Sequence, residues 1–586
     1  MENLFSRILP VRTRQVFDES KHATVSEEVG PVNGQEVVVR CTTDMVVHNP
    51  LEAEQRRRTG NLKFWLALTA LAFTWTSAQA PLYLFAGAPV YIYRGLGGVD
   101  YWVWFVSANL LATAAISPFV GALSDLMGRR HVAILGNLAI ILGQVICGAA
   151  KDMDMFIGIN ELTALAGTAE LVSLSHRGYY IAGMVLTVLP FLPSAMYAQL
   201  ISSSATWRYI AVVTGAWAAA GLFTTVLFYH PPLPPRSARL ETWSEKLGLL
   251  KRKDFVGGFL SIGGLAGFEA GILLGGYQYP WTSPRTLFPL TFGGLCLIFF
   301  VAWELWGTAH PMVPRNLSKA PGTLAMTMII TFISGANFFS VLLLWPPEAY
   351  NVYGHDPIGV GIRGLPFAFG VFTSCLVSLI LLSLLRDGKV KWLIVSASVL
   401  MTAGCGSLSL ARVDNIHQVY GILFVAGLGV GGITIPVSTV ATIVCEPEVI
   451  ATVTALTIAV RIVGGAVGYA VGYAVYFNVF VHRLLPELSK HVGAACAGVG
   501  IVDPKVVHEA VGLTAHSLVA ELRHLPGIEG NETVWEQIVA AGQQGYASAY
   551  PWVYYCSVAF GGVAVIASLF LRDISDLVDD TVVAVM

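Results

Sequence analysis

The sequence predicts an all-α membrane protein with about fourteen transmembrane helices, each of roughly twenty residues. Three observations predict it. Of 586 residues, 55% are apolar, while only 12% are Asp, Glu, Lys or Arg, about half the share found in soluble domains. Apolar runs of helix length recur along the chain with short polar breaks. The 59 glycines suit a protein whose helices approach closely in lipid. Such runs must be helical, because an unpaired backbone amide in hydrocarbon costs several kcal/mol. They are too long, and too free of alternation, for a transmembrane β-barrel.

Residues 1–62 are polar and mixed in charge, without the apolar stretch of a cleavable signal, and are expected to form a disordered cytoplasmic tail. The spans follow at roughly 64–86, 101–123, 131–150, 155–174, 179–201, 207–229, 256–276, 286–306, 322–345, 358–384, 391–411, 417–440, 451–481 and 552–571. Residues 63–230 are expected to form a first six-helix bundle. Residues 231–310 supply a cytoplasmic linker and an inserted helix pair, and 311–572 a second six-helix bundle. That bundle includes an extracellular loop at 482–551, with helical periodicity around Val506–Leu522, and residues 573–586 close the chain as a cytoplasmic tail.

Orientation follows from the basic residues in the connections. With the N-terminus inside, the inner segments hold 24 Lys and Arg and the outer ones 9. Without the N-terminal tail the ratio is 15 to 9, and without the long outer loop as well it is 15 to 5. Both ends therefore face the cytosol, and Asn531 of the sequon Asn531-Glu532-Thr533 faces outward as a glycosylation candidate. The net charge of −2 argues against a nucleic-acid partner, and eight scattered cysteines with no CxxC pair indicate neither zinc nor a disulfide framework. No HExxH, GxSxG or P-loop sequence occurs, which argues against an enzyme and against ATP as the energy source.

The most informative segment is Gly121-Ala-Leu-Ser-Asp125-Leu-Met-Gly128-Arg129-Arg130, between spans 2 and 3 on the inner face. Gly121 permits close helix contact, Asp125 complements a helix N-terminus, Gly128 allows a tight turn, and Arg129 and Arg130 hold the loop inside. The segment resembles the loop signature of the major facilitator superfamily, with Leu126 where that family usually has Arg. Thr206-Trp207-Arg208-Tyr209, Phe228-Tyr229-His230-Pro231-Pro232, Gly276-Tyr-Gln-Tyr-Pro-Trp281 and Arg461-Ile-Val-Gly464-Gly465 narrow the likeness. Together these segments, within residues 60–586, resemble the fungal fourteen-span facilitators that include trichothecene efflux pumps and siderophore–iron transporters. The resemblance implies a major facilitator fold of two six-helix bundles about a central cavity, spans 7 and 8 being an inserted pair, with alternating access about a midplane site.

Charges inside spans are costly and mark functional candidates. Glu161 and Glu170 fall in span 4, nine residues apart and so on opposite helix faces, and Arg461 falls in span 13. Glu161 is a candidate for proton or substrate binding. Glu170 is a candidate for an ion pair at the inner end, and Arg461 for an anionic substrate or an acid partner. Glu304 and Glu348 lie near span ends and are expected at the interfaces. Trp75, Trp104, Trp217, Phe338 and Phe339 are candidates for lining or packing about an apolar cavity. Span 1 lacks the Asp, and span 4 the Arg, that facilitator antiporters usually carry. The expected function is therefore proton-coupled export of small amphipathic molecules of toxin or drug type, by a monomer without cofactors in the plasma, vacuolar or vesicular membrane. The alternatives are siderophore–iron uptake and a non-transporting receptor on the same scaffold.

Overall fold

The computed structural model describes residues 27–32, 35–40, 62–98, 104–114, 127–158, 187, 189–230, 254–276, 278–308, 311, 318–384, 389–445, 449–476, 478 and 482–572. In the N-terminal unit, β1 (Glu27–Val32) pairs antiparallel with β2 (Gln35–Arg40), in a register that sets Val32 against Gln35. The sequence presents this stretch as part of a disordered tail. The overlooked signal is Asn33-Gly34 between two valine-rich runs, the residue pair that two-residue hairpin connections favour.

The other regular elements among the described residues are helical. The helices are α1 (Leu62–Ala86), α2 (Pro89–Leu96), α3 (Trp104–Ala114), α4 (Arg129–Gly148), α5 (Ser194–Ser204), α6 (Arg208–Phe228), α7 (Phe255–Leu274), α8 (Pro284–Ala302), α9 (Pro321–Tyr353), α10 (Pro357–Leu384), α11 (Val390–Ser407), α12 (Ile416–Ile443), α13 (Ile450–Val475), α14 (His482–Gly498), α15 (Pro504–Ala515), α16 (Glu532–Ala549) and α17 (Pro551–Leu569). Among the described residues, ten helical stretches are long and apolar enough to cross a membrane. Local chemistry sets many of their ends. Asp254 caps α7 by accepting the Gly257 N–H at 2.8 Å, and Ser283 caps α8 ahead of Pro284 at its first turn. Gly128 takes a φ of +86° just before α4, a conformation that costs glycine nothing.

Helices α10 and α12 pack together, as do α11 with α12, α9 with α13, α4 with α6, and α7 with α8. Backbones nearly touch where α9 crosses α13. A methyl group at Gly464 would stand 2.0 Å from the Phe332 carbonyl oxygen, and one at Gly468 would stand 2.5 Å from Ala336. Such contacts let dispersion forces act where no hydrophobic effect drives helices together. Helix α7 of the pair α7–α8 rests on α13.

Two observations alter the sequence reading. Helix α9 runs through Pro346 and Pro347 to Tyr353, about 50 Å at 1.5 Å per residue, and so projects beyond the bilayer core. This projection buries Glu348, Ala349 and Val352, so Glu348 is not at an exposed interface. The segment 482–551 is not a loop but a helical cap built from α14, α15, a 3₁₀ turn at Glu521–His524, and α16. Its own core includes Leu484, Leu488, Val492, Leu522 and Ile538.

Candidate functional site

Three polar groups are buried inside the apolar bundle. The first joins α1, α4 and α6. Asn137 of α4 donates to the Thr74 hydroxyl at 3.3 Å and to the Ala133 carbonyl at 3.1 Å, and accepts from Ser77 at 3.3 Å. Thr74 also shares a 3.0 Å hydrogen bond with Thr225, and the Trp217 indole donates to Thr76 at 2.8 Å. Further along the same helices, Thr214 donates to Gln144 at 2.7 Å. Such a network links three helices by side chains that would otherwise stand unsatisfied in an apolar setting.

The second group lies in the later half. The Tyr554 hydroxyl of α17 donates to the buried Glu348 carboxylate of α9. A narrow crevice opens nearby, lined by Ser340, Leu344, Gly468, Gly472, Tyr554 and Phe560. Arg461 of α13 donates to the Thr434 carbonyl of α12 at 3.1 Å, and its Nε is buried without a partner. No carboxylate among the described residues is within ion-pair distance of Arg461. The arginine thus keeps donor capacity for an acceptor that the packed helices do not supply.

The third group centres on Glu269 of α7, which is wholly buried and whose carboxyl oxygens have no hydrogen-bond partner. Sequence reasoning passed it over. The signal was available, since Glu269 is a lone carboxylate between Phe268 and Ala270 in an apolar run.

The sequence-predicted residues are not gathered into one site. Glu161, Glu170, Gly121 and Asp125 lie outside the described residues. Arg129 opens α4, and Arg130 donates at 2.8 Å to the Val226 carbonyl near the C-terminus of α6, where a cation complements the helix dipole. Asn531 is exposed and caps α16, accepting the Val534 N–H at 3.3 Å. Of the expected cavity aromatics, Trp217 packs against Phe73 and Phe191, and Phe338 against Phe339 and Phe367. Elsewhere, Tyr93 of α2 donates to the His516 carbonyl of the cap at 3.2 Å, and Arg94 pairs with Glu521 at 2.5 Å. Helix α5 packs on α10, where Met196 meets Gly361. These contacts join the earlier part of the chain to the later part near one membrane face.

The sequence profile described as "Fungal trichothecene efflux pump (TRI12)" matches residues 81–586. The chain belongs to the fungal trichothecene efflux pump family. It is accordingly a multi-pass membrane transporter of the major facilitator type and not an enzyme. Relatives in line with that family include the "MFS-type efflux transporter ffsH" of Aspergillus flavipes, 26% identical over 485 residues, with 79% of each chain covered. The "Trichothecene efflux pump TRI12" of Fusarium sporotrichioides is 24% identical over 481 residues, covering 79% of this chain and 78% of that one. The "MFS-type transporter ucsD" of Acremonium sp is 26% identical over 382 residues, and this chain spans 63% of its length.

Proposed function

We propose that this protein is a secondary active exporter of small amphipathic molecules, working as a monomer in the plasma membrane and driven by proton entry. The observation that carries the reading is the family match across residues 81–586, in company with relatives whose names describe efflux. The buried interior supports an amphipathic cargo, since it combines aromatic side chains at Phe338, Phe339 and Phe367 with isolated polar groups at Arg461 and Glu348. Arg461 would contact a cargo acceptor, and Glu161 and Glu170 would serve proton movement or inner-end pairing. Gly121, Asp125, Gly128, Arg129 and Arg130 would form the hinge loop between spans 2 and 3. Asn531 would carry a glycan on the outer face.

The test is transport by the purified chain in sealed vesicles, using a panel of amphipathic toxins and ferric siderophores, with and without a pH gradient. Saturable, gradient-stimulated movement of a toxin away from the cytosolic face supports the reading. Movement of ferric siderophores toward that face would replace it with uptake, and absence of flux for the whole panel would favour a receptor.

A further inference from the structure

The inserted helix pair carries a buried acid that packing alone does not explain. Glu269 sits in α7 with no exposed surface, and both its carboxyl oxygens lack hydrogen-bond partners. Two other orphaned polar groups lie in the same buried region. One is the Ser107 hydroxyl of α3, which is close to the carboxyl but outside hydrogen-bonding geometry. The other is the Tyr469 phenol of α13, buried and likewise unpartnered. Three orphaned oxygen-bearing side chains from three helices thus converge among Leu265, Phe105, Val106, Ala466 and Ala470.

The other packed helix carries one charged residue, Arg285 in its first turn, which donates to the Tyr279 hydroxyl at 3.1 Å. Helix α8 meets α7 through Pro289, Leu290, Gly293 and Leu297, and its Cys296 packs on Gly264. No Lys, Arg or His among the described residues pairs with Glu269. Tyr469 is therefore the titratable neighbour and Ser107 the polar one. An ionised carboxylate buried without a donor is among the costliest arrangements a protein can hold, whereas a neutral carboxylic acid is far less so. A position serving only packing would be met more cheaply by Leu or Phe. The arrangement suits an acid that is neutral in this conformation and releases its proton in another.

We propose that Glu269, with Ser107 and Tyr469, is a proton-binding site of the transport cycle, carried by the inserted helix pair. The proposal rests on the reading of proton-coupled export. Helices α3 and α13 belong to opposite halves of the facilitator fold, so rocking of the halves changes what faces the carboxyl. In the step proposed, the carboxyl O–H breaks, the proton passes to water on the cytosolic side, and the carboxylate is left against Ser107 and Tyr469. Reprotonation from the outer side restores the neutral acid. No oxidant or other reactant is needed.

The experiment uses the full chain with Glu269→Gln and Glu269→Asp. In vesicles the readout is the ratio of toxin flux with a pH gradient to flux without one. For Glu269→Gln this ratio is expected to fall to unity with a flat pH profile, while Glu269→Asp retains part of the stimulation. A wild-type ratio and profile in Glu269→Gln would overturn the proposal. Should Glu269→Gln fail to fold, Ser107→Ala and Tyr469→Phe take its place, and unshifted pH profiles in both overturn the site. Should the wild type itself ignore the gradient, the export reading falls, and infrared spectroscopy of the detergent-purified chain decides the site separately. A protonated-carboxyl band that titrates in wild type and is missing in Glu269→Gln upholds it, and identical spectra overturn it.

Discussion

Replacing Gly464 with alanine should force α9 and α13 apart. The added Cβ would lie 2.0 Å from the Phe332 carbonyl oxygen and 2.7 Å from its carbon, whereas ordinary contact begins near 3.4 Å. The shortfall in the closer contact, 3.4 less 2.0, is about 1.4 Å, and because the obstructing atoms are backbone, no flexible side-chain tip can yield. Overpacking of this kind costs about 1–3 kcal/mol, against which the better helix propensity of alanine returns at most about 1 kcal/mol. The net expected loss is roughly 1–2 kcal/mol, on the order of a tenfold change in the folded-to-unfolded ratio. The control is Gly562→Ala in α17, where a Cβ meets nothing within 4 Å, and which is expected to be neutral or slightly stabilising. Thermal melting of wild type and both variants in the same detergent reads the difference. If Gly464→Ala melts at or above the wild-type temperature, alongside Gly562→Ala, the steric reasoning is wrong.

Three further outcomes are expected. His355, in the turn between α9 and α10, is pushed by burial and then by the Arg363 guanidinium from its ordinary 6.5 down to about 4. The unfolded chain binds this proton at higher pH than the folded one, so stability falls as pH drops from about 6.5 to about 4 and levels off below, by at most about 3 kcal/mol. His355→Asn should flatten melting temperature over that window, and an unchanged slope would assign the effect elsewhere. Tyr554→Phe leaves the buried Glu348 carboxyl without its donor and should cost about 1–3 kcal/mol in the melt, so an unaltered melt would deny that hydrogen bond a role. The Arg94–Glu521 pair is about half exposed on both sides, so a double-mutant cycle with Arg94→Gln and Glu521→Gln should return a coupling of only about 0.2–1 kcal/mol, shrinking in salt. A coupling of several kcal/mol would show that the cap clamps α2 far more firmly than the exposure of the pair implies.

Particular elements show how far the sequence reached. The run at 391–411 became α11 and the run at 358–384 became α10, because in lipid a long apolar stretch has no other way to pair its amides. Helix α9 outran the span expected at 322–345, running on through Pro346 and Pro347. Burial of Glu348, Ala349 and Val352 outweighs the hydrogen bonds those prolines omit. The cap was read as a loop because its helices are amphipathic and mixed in charge, the signature of a small water-facing fold rather than of a span.

By itself, the sequence determined that this chain enters lipid as helices and to which family it belongs. Hydropathy, basic-residue bias and short motifs are local properties, readable without knowing what packs on what. Which buried polar groups meet was decided only by tertiary structure. Glu269 stands 162 residues after Ser107 and 200 before Tyr469 along the chain, and only helix packing brings the three into one buried region. Whether a carboxyl in a span is neutralised, capped or left alone depends on atoms from other helices, and the energy that makes it functional lies in those contacts.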